Sequence, residues 1–199
     1  VLKARQPGAG TQAPWAPAPI AAVQAAMARD QPAVVFAPHV ETASGRILPD
    51  ACLRAVADAV HAVGGLFVLD CIASGAMWVD MRATGVDVLI SAPQKGWAAR
   101  RAAPWVMPSE RARTAIDGTV STSFAGDLKK WLQIMETYEK GGHAHHATLP
   151  TDALTRLRAA MQETQAHGFA KVKAEQQALG QKVRALFELL GRRAILVSI

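Results

Sequence analysis

Residues 66–70 read LFVLD and residues 86–97 read VDVLISAPQKGW. LFVLD is a near-continuous apolar run, the pattern of a strand covered on both faces, as in a parallel sheet flanked by helices. It ends in one acid, Asp70. VDVLISA (86–92) is a second such run, and a proline, an amide, a lysine and a glycine follow it. Upstream, VVFAP (34–38) reads as a third buried strand. Between VVFAP and LFVLD the apolar residues Cys52, Ala55, Val56, Ala59, Val60 and Val63 fall at helical spacing. Pro49-Asp50 opens that helix, with Asp50 expected as its N-cap, and Gly64-Gly65 stops it. MRATG (81–85) is a short turn or helix. Strand, helix, strand, turn, strand is the grammar of an α/β domain with a mainly parallel sheet.

The flanks are read from the same signals. Residues 1–20 are dense in Pro and Gly and read as a loop, followed by an Ala-rich helix over Ile20–Arg29. Pro104 to Met107 is a further strand, and Ser109 caps a helix over ERARTAI. Thr151 to Leu190 turns rich in Gln, Ala, Lys and Leu, with helical periodicity broken near His167-Gly168, so two consecutive helices are expected. ILVSI (195–199) resembles the first strand of a further unit.

Composition narrows the function classes. Half of the 199 residues are hydrophobic and 19% are charged, which supports a packed core. The net charge of +6 is spread out, with only Arg100-Arg101 and Arg111/Arg113 clustered, so nucleic acid is not an expected partner. No apolar run approaches the ~20 residues of a membrane span, so no membrane partner is expected. VLKARQPGAG has no signal-peptide pattern, and Cys52 and Cys71 have no metal-ligand spacing; both point to a reduced, cytoplasmic setting. The GGHAHH stretch (141–146) has no acid or cysteine partner, so no metal is expected. No G-x-G-x-x-G or P-loop follows a strand, which disfavours a nucleotide-binding module.

In open α/β sheets, ligands sit beyond the carboxyl ends of the strands. Such positions hold HVETASG (39–45), Asp70, the Ser91–Trp97 stretch and Ser109. An acid ending one strand and a lysine following its neighbour suit pyridoxal 5'-phosphate, which needs an amine for a Schiff base and an acid for its pyridine nitrogen. The carboxylate favours the protonated ring, and the released lysine can shuttle protons. More ordinary roles stand beside these. His39 and Glu41 suit loop hydrogen bonding as well as catalysis, Trp97 suits packing, Cys52 suits the core, and Cys71 suits a packed thiol.

HVETASG, VLDCIAS with Asp70, and SAPQKGW, in this order, resemble the signature blocks of the class V pyridoxal-phosphate-dependent aminotransferases, closest to the alanine–glyoxylate and serine–pyruvate subgroup. The resemblance runs from about residue 33 to 190. It implies a fold-type I transferase large domain over 33–166, partial, after a loose or helical segment at 1–32. The start of a small C-terminal domain would fill 167–199. It implies that Lys95 carries the Schiff base and later acts as acid and base, that Asp70 pairs with the ring nitrogen, and that Thr42 bonds the ring oxygen. Gln94 would help bind the phosphate. HHATLP (145–150) resembles a loop that reaches the neighbouring subunit's phosphate, with Thr148 as the contributing hydroxyl and His145 in place of the usual tyrosine. A homodimer follows from that loop. The implied reaction moves an amino group from alanine or serine to glyoxylate or pyruvate.

The resemblance also implies parts that these residues do not match. The family's Gly/Ser-rich phosphate cradle lies upstream of HVETASG, and its substrate-carboxylate arginine lies in the small domain. PGAG (7–10) and Arg192-Arg193 match neither, and Arg100-Arg101 depart from the family's small-residue stretch. The alternative expectation is therefore an inactive fragment of such an enzyme, with a bare sheet edge and exposed apolar surface.

Overall fold

The computed structural model describes residues 1–6, 8, 15–99 and 104–191. An irregular N-terminal stretch carries one antiparallel bridge, Arg5 to Ala16. Helix α1 (Ile20–Asp30) and strand β1 (Val34–Pro38) follow, then a hairpin of β2 (Val40–Glu41) and β3 (Arg46–Ile47). Next come α2 (Asp50–Ala62), β4 (Leu66–Asp70), α3 (Met81–Thr84) and β5 (Val88–Ser91). The described chain continues through β6 (Trp105–Pro108), α4 (Glu110–Asp117), α5 (Leu128–Glu139), α6 (Thr151–His167) and α7 (Phe169–Leu189).

The main sheet has the order β1-β4-β5-β6, the first three parallel and β6 antiparallel. This is the mainly parallel α/β arrangement expected from the sequence. The register pairs Pro38 with Asp70 and Asp70 with Ile90, so the carboxyl ends of β1, β4 and β5 share one edge.

Side chains alternate across a strand, and that explains the unbroken apolar run of LFVLD. Phe67 and Leu69 pack on one face against Leu53, Ala57 and Val60 of α2, with α1 beside them. Val68 points the other way and packs with Val88 and Ala112 of α4. Leu53 and Phe67 are fully buried, and burial of each stabilises by about 1.5–3 kcal/mol. Strand β1 is covered on one face only. Val35 and Ala37 join the core, while Val34 and Phe36 are 42% and 72% exposed. β1 is also an edge strand of the sheet formed by the described residues.

Several boundaries differ from expectation. Asp50 is not the cap of α2. Pro49 holds the cap position with extended backbone and no side-chain bond, so the helix begins at Asp50 itself. Its carboxylate there favours the helix dipole instead. The strand expected over 86–92 is hydrogen-bonded only over Val88–Ser91. Asp87 before it is a buried hub: its carboxylate accepts from His61 Nε2 (2.8 Å), the Phe67 amide (2.8 Å) and Ser109 Oγ (3.3 Å). Cys52 is half-buried rather than core. The β2–β3 hairpin and α5 are additional to the elements read from sequence. The two helices of 151–190, and the Ser109 cap donated to by the Ala112 amide, are as expected. Most of PGAG, Arg100-Arg101, Arg192-Arg193 and ILVSI lie outside the described residues.

Candidate active site

The carboxyl edge of the sheet gathers three strand ends. At the end of β1, His39 is buried, with its amide donating to the Asp70 carbonyl (2.9 Å). His39 Nδ1 lies 2.7 Å from Ser74 Oγ. Burial holds the His39 ring below the usual histidine pKa, with Lys173 adding to the effect and Asp50 opposing it. At the end of β4, Asp70 is exposed, and one carboxylate oxygen accepts from the Ile72 amide (2.8 Å). That bond fixes the carboxylate's orientation and leaves its second oxygen unengaged among the described residues.

After β5 the chain passes through buried Ala92 and Pro93 and emerges in an exposed turn at Gln94 and Lys95. Two bonds close the turn, Ala98 amide to Lys95 carbonyl (3.1 Å) and Ala99 amide to Pro93 carbonyl (3.2 Å). The side chains of Gln94 and Lys95 make no hydrogen bond or ion pair among the described residues.

The loops after β4 and β5 press together at two glycines. A Cβ on Gly96 would lie 2.5 Å from the Gly75 carbonyl oxygen, so only glycine permits the contact. An aromatic cluster backs it. The Trp97 ring is 5.0 Å from Trp78 and 5.3 Å from Trp105, and Phe169 of α7 meets Trp78 edge-on at 5.7 Å. Trp97 is thus a packing residue. So is Cys71, whose thiol is pushed up to about 11 by burial, with Asp70 adding to the effect and a Ser74 hydrogen bond opposing it.

The remaining sequence-derived positions are more dispersed. Thr42 is exposed in the turn between β2 and β3, its hydroxyl unbonded among the described residues. Glu41 staples that turn: hydrogen bonds from the Ser44 hydroxyl and from the Ala43 and Ser44 amides hold its carboxyl below the usual range. Glu41, at the end of β2, is therefore a structural residue of the hairpin. Thr148 and His145 are exposed between α5 and α6. In that stretch His146 Nε2 bonds the Phe124 carbonyl (2.9 Å) and its ring packs on Phe124 and Trp131. An open depression of about 650 Å³, lined by Leu149, Asp152 and Arg156 among others, adjoins Thr148 in sequence.

The fold thus brings Asp70, Gln94 and Lys95 to one edge on paired strands, whereas no described contact joins Thr42 or Thr148 to them. Sequence reading missed Ser74, Gly75 and Gln176, which hold the loop after Asp70. The available signal was a glycine following each polar strand end. Among the described residues no group of three His, Cys, Asp or Glu could hold a metal ion, and no helix is long and apolar enough to cross a membrane.

No protein-family model matches this chain, and no curated protein matches it in sequence. Solved structures do. Alanine–glyoxylate aminotransferase from Nostoc sp. is similar at a TM-score of 0.77 and 22% identity, over 87% of this chain and 45% of that one. Pyridoxamine–pyruvate aminotransferase from Mesorhizobium loti gives 0.74 and 21%, over 86% and 43%. Ureidoglycine–glyoxylate aminotransferase from Bacillus subtilis gives 0.63 and 24%, over 78% and 39%. The chain spans less than half the length of each. At these identities the shared property is the fold: over most of its length the chain has the α/β architecture of these aminotransferases, that of the fold-type I transferases expected from the three sequence blocks.

Proposed function

We propose that this chain is the cofactor-binding part of a pyridoxal-phosphate-dependent aminotransferase. One observation carries the reading. Asp70 ends β4 and Lys95 follows its paired neighbour β5 at the carboxyl edge of the sheet, each with polar atoms left unengaged among the described residues. That pair fits the cofactor, with an amine for its aldehyde carbon and a carboxylate for its ring nitrogen; the Gln94 amide beside Lys95 would serve its phosphate, and Thr42 is proposed for its ring oxygen from the sequence resemblance alone. When bound, the cofactor supplies an electron sink for the carbanion left when an amino acid loses its α-proton.

The chain's own residues do the rest. Asp70, oriented by the Ile72 amide, offers its second oxygen to a protonated nitrogen and stabilises that charge. Lys95, on an exposed turn, would hold the cofactor's aldehyde carbon and, once displaced by a substrate amine, would be the base and acid for the α-proton. The proposed substrates are a small amino acid, alanine or serine, and glyoxylate or pyruvate. The names of the similar enzymes from Nostoc sp. and Mesorhizobium loti, which mention glyoxylate and pyruvate, support this class. The proposal includes a homodimer in which Thr148 of one copy reaches the phosphate bound by the other, and the domain division at about residues 32 and 166.

A second reading is a non-catalytic chain of the same fold. The exposed Phe36 on edge strand β1, apolar surface left uncovered, favours it. A spectral titration with pyridoxal phosphate separates the two. An absorbance band that saturates in the wild-type chain and is missing in Lys95→Ala supports the first reading. Its absence in both supports the second.

A further inference from the structure

We propose that Gln176, on α7, is a positioning residue for Lys95, acting through the loop that follows β4. This rests on the reading of Lys95 given above. The two residues are far apart in sequence, and a chain of contacts connects them: a hydrogen bond from the Gln176 side chain to the loop, then backbone against backbone between Gly75 and Gly96. Gln176 Oε1 accepts from the Ala76 amide at 2.7 Å. On the other side of Gly75, Ser74 is held by buried His39 at 2.7 Å. Gly75 is therefore fixed from both neighbours, in a left-handed conformation at φ +60°. A Cβ at Gly75 would lie 2.6 Å from Gln176 Nε2, and a Cβ at Gly96 would lie 2.5 Å from the Gly75 carbonyl oxygen.

Packed interfaces of this kind do not deform smoothly. A displacement of Gly75 must move Gly96, and Gly96 is the residue after Lys95. The Gln176 end of the relay is the exposed one. α7 has no fully buried residue, and its N-terminal part is tied to the same loop by Lys173 Nζ to the Trp78 carbonyl (3.0 Å) and Trp78 Nε1 to the Phe169 carbonyl (3.0 Å). The position of α7 thereby sets the position of the Lys95 turn. A purely local alternative exists, in which Gln176 only satisfies the Ala76 amide.

The test compares Gln176→Ala, which removes the acceptor, with Gln176→Glu, which keeps one, in the full chain. The first readout is amide exchange in the absence of cofactor. In Gln176→Ala the Ala98 and Ala99 amides, which close the Lys95 turn, should exchange roughly tenfold faster while the β4 and β5 amides are unchanged. Gln176→Glu should restore protection to within about threefold of wild type. The second readout is the concentration of pyridoxal phosphate at half-saturation of the Lys95-dependent band, expected to rise about tenfold in Gln176→Ala and to recover in Gln176→Glu. Unchanged Ala98 and Ala99 exchange, a uniform rise across the sheet, or no rescue by glutamate would each overturn the proposal. A wild-type chain with no such band would defeat the aminotransferase reading alone, because the exchange measurement still decides the relay.

Discussion

Gly96 faces Gly75 across two loops that follow adjacent strands, and a Cβ on Gly96 would stand 2.5 Å from the Gly75 carbonyl oxygen. Backbone against backbone leaves no flexible side chain to yield. Gly96→Ala should therefore force the loops apart and destabilise the chain by about 1–3 kcal/mol, read from urea denaturation. Gly118→Ala is the control. Gly118 has a right-handed backbone and only ordinary contacts beyond 3.5 Å, so it should be neutral or slightly stabilising.

Asp87 joins α2, β4 and the start of α4 through one buried carboxylate. Removing it strands the Phe67 amide and the His61 ring. Asp87→Ala should cost about 3 kcal/mol and Asp87→Asn, which keeps one acceptor oxygen, clearly less. Paired thermal and urea melts check the order. Equal stability of all three proteins would remove Asp87 from its structural role.

His39 gives the chain a pH dependence with a definite sign. Its folded pKa is depressed, first by burial and then by Lys173, against the opposing field of Asp50. The folded state therefore disfavours the protonated ring. This contribution is fully present above the unfolded value of about 6.5 and is lost as pH falls through the lower folded value. Melting temperature measured from neutral to mildly acid pH should fall more steeply for wild type than for His39→Gln. A parallel fall in both would assign the acid sensitivity elsewhere.

Cys71 should behave as an inert thiol. Pushed up to about 11 and buried, it holds on the order of one thiolate per thousand molecules at pH 8. Alkylation of the folded chain followed by peptide mass analysis should leave Cys71 unmodified while half-buried Cys52 reacts slowly. Both should react after denaturation. Rapid modification of Cys71 in the folded chain would contradict its packing role.

The parts of the fold legible in sequence were those with strong local signals. LFVLD and VVFAP form strands of the expected bounds because apolar β-branched and aromatic runs flanked by turn residues leave few alternatives. The two C-terminal helices were legible from their period and from Gly168, which adopts a positive φ at their junction. The β2–β3 hairpin was hidden because its strands are only two residues each, held by the Glu41 staple rather than by any pattern. Asp87 was read inside a strand because its polarity is cancelled by three partners that only the folded chain brings together. For the same reason Gln176 carried no signal: its partner amide at Ala76 lies 100 residues away. Asp70 and Lys95 were legible as a pair because strand ends are where an α/β sheet leaves polar side chains free. Thr42 and Thr148 entered only through resemblance, and no described contact links either to that pair.

The most direct test is to identify which amine takes the cofactor. The chain is mixed with one equivalent of pyridoxal phosphate, reduced with borohydride, digested and mapped by mass spectrometry. The label should fall on the peptide containing Lys95, and Asp70→Ala should weaken labelling there while leaving other lysines unchanged. Label spread evenly over exposed lysines such as Lys3, Lys130 and Lys182, with Lys95 no more reactive than they are, would contradict its proposed role.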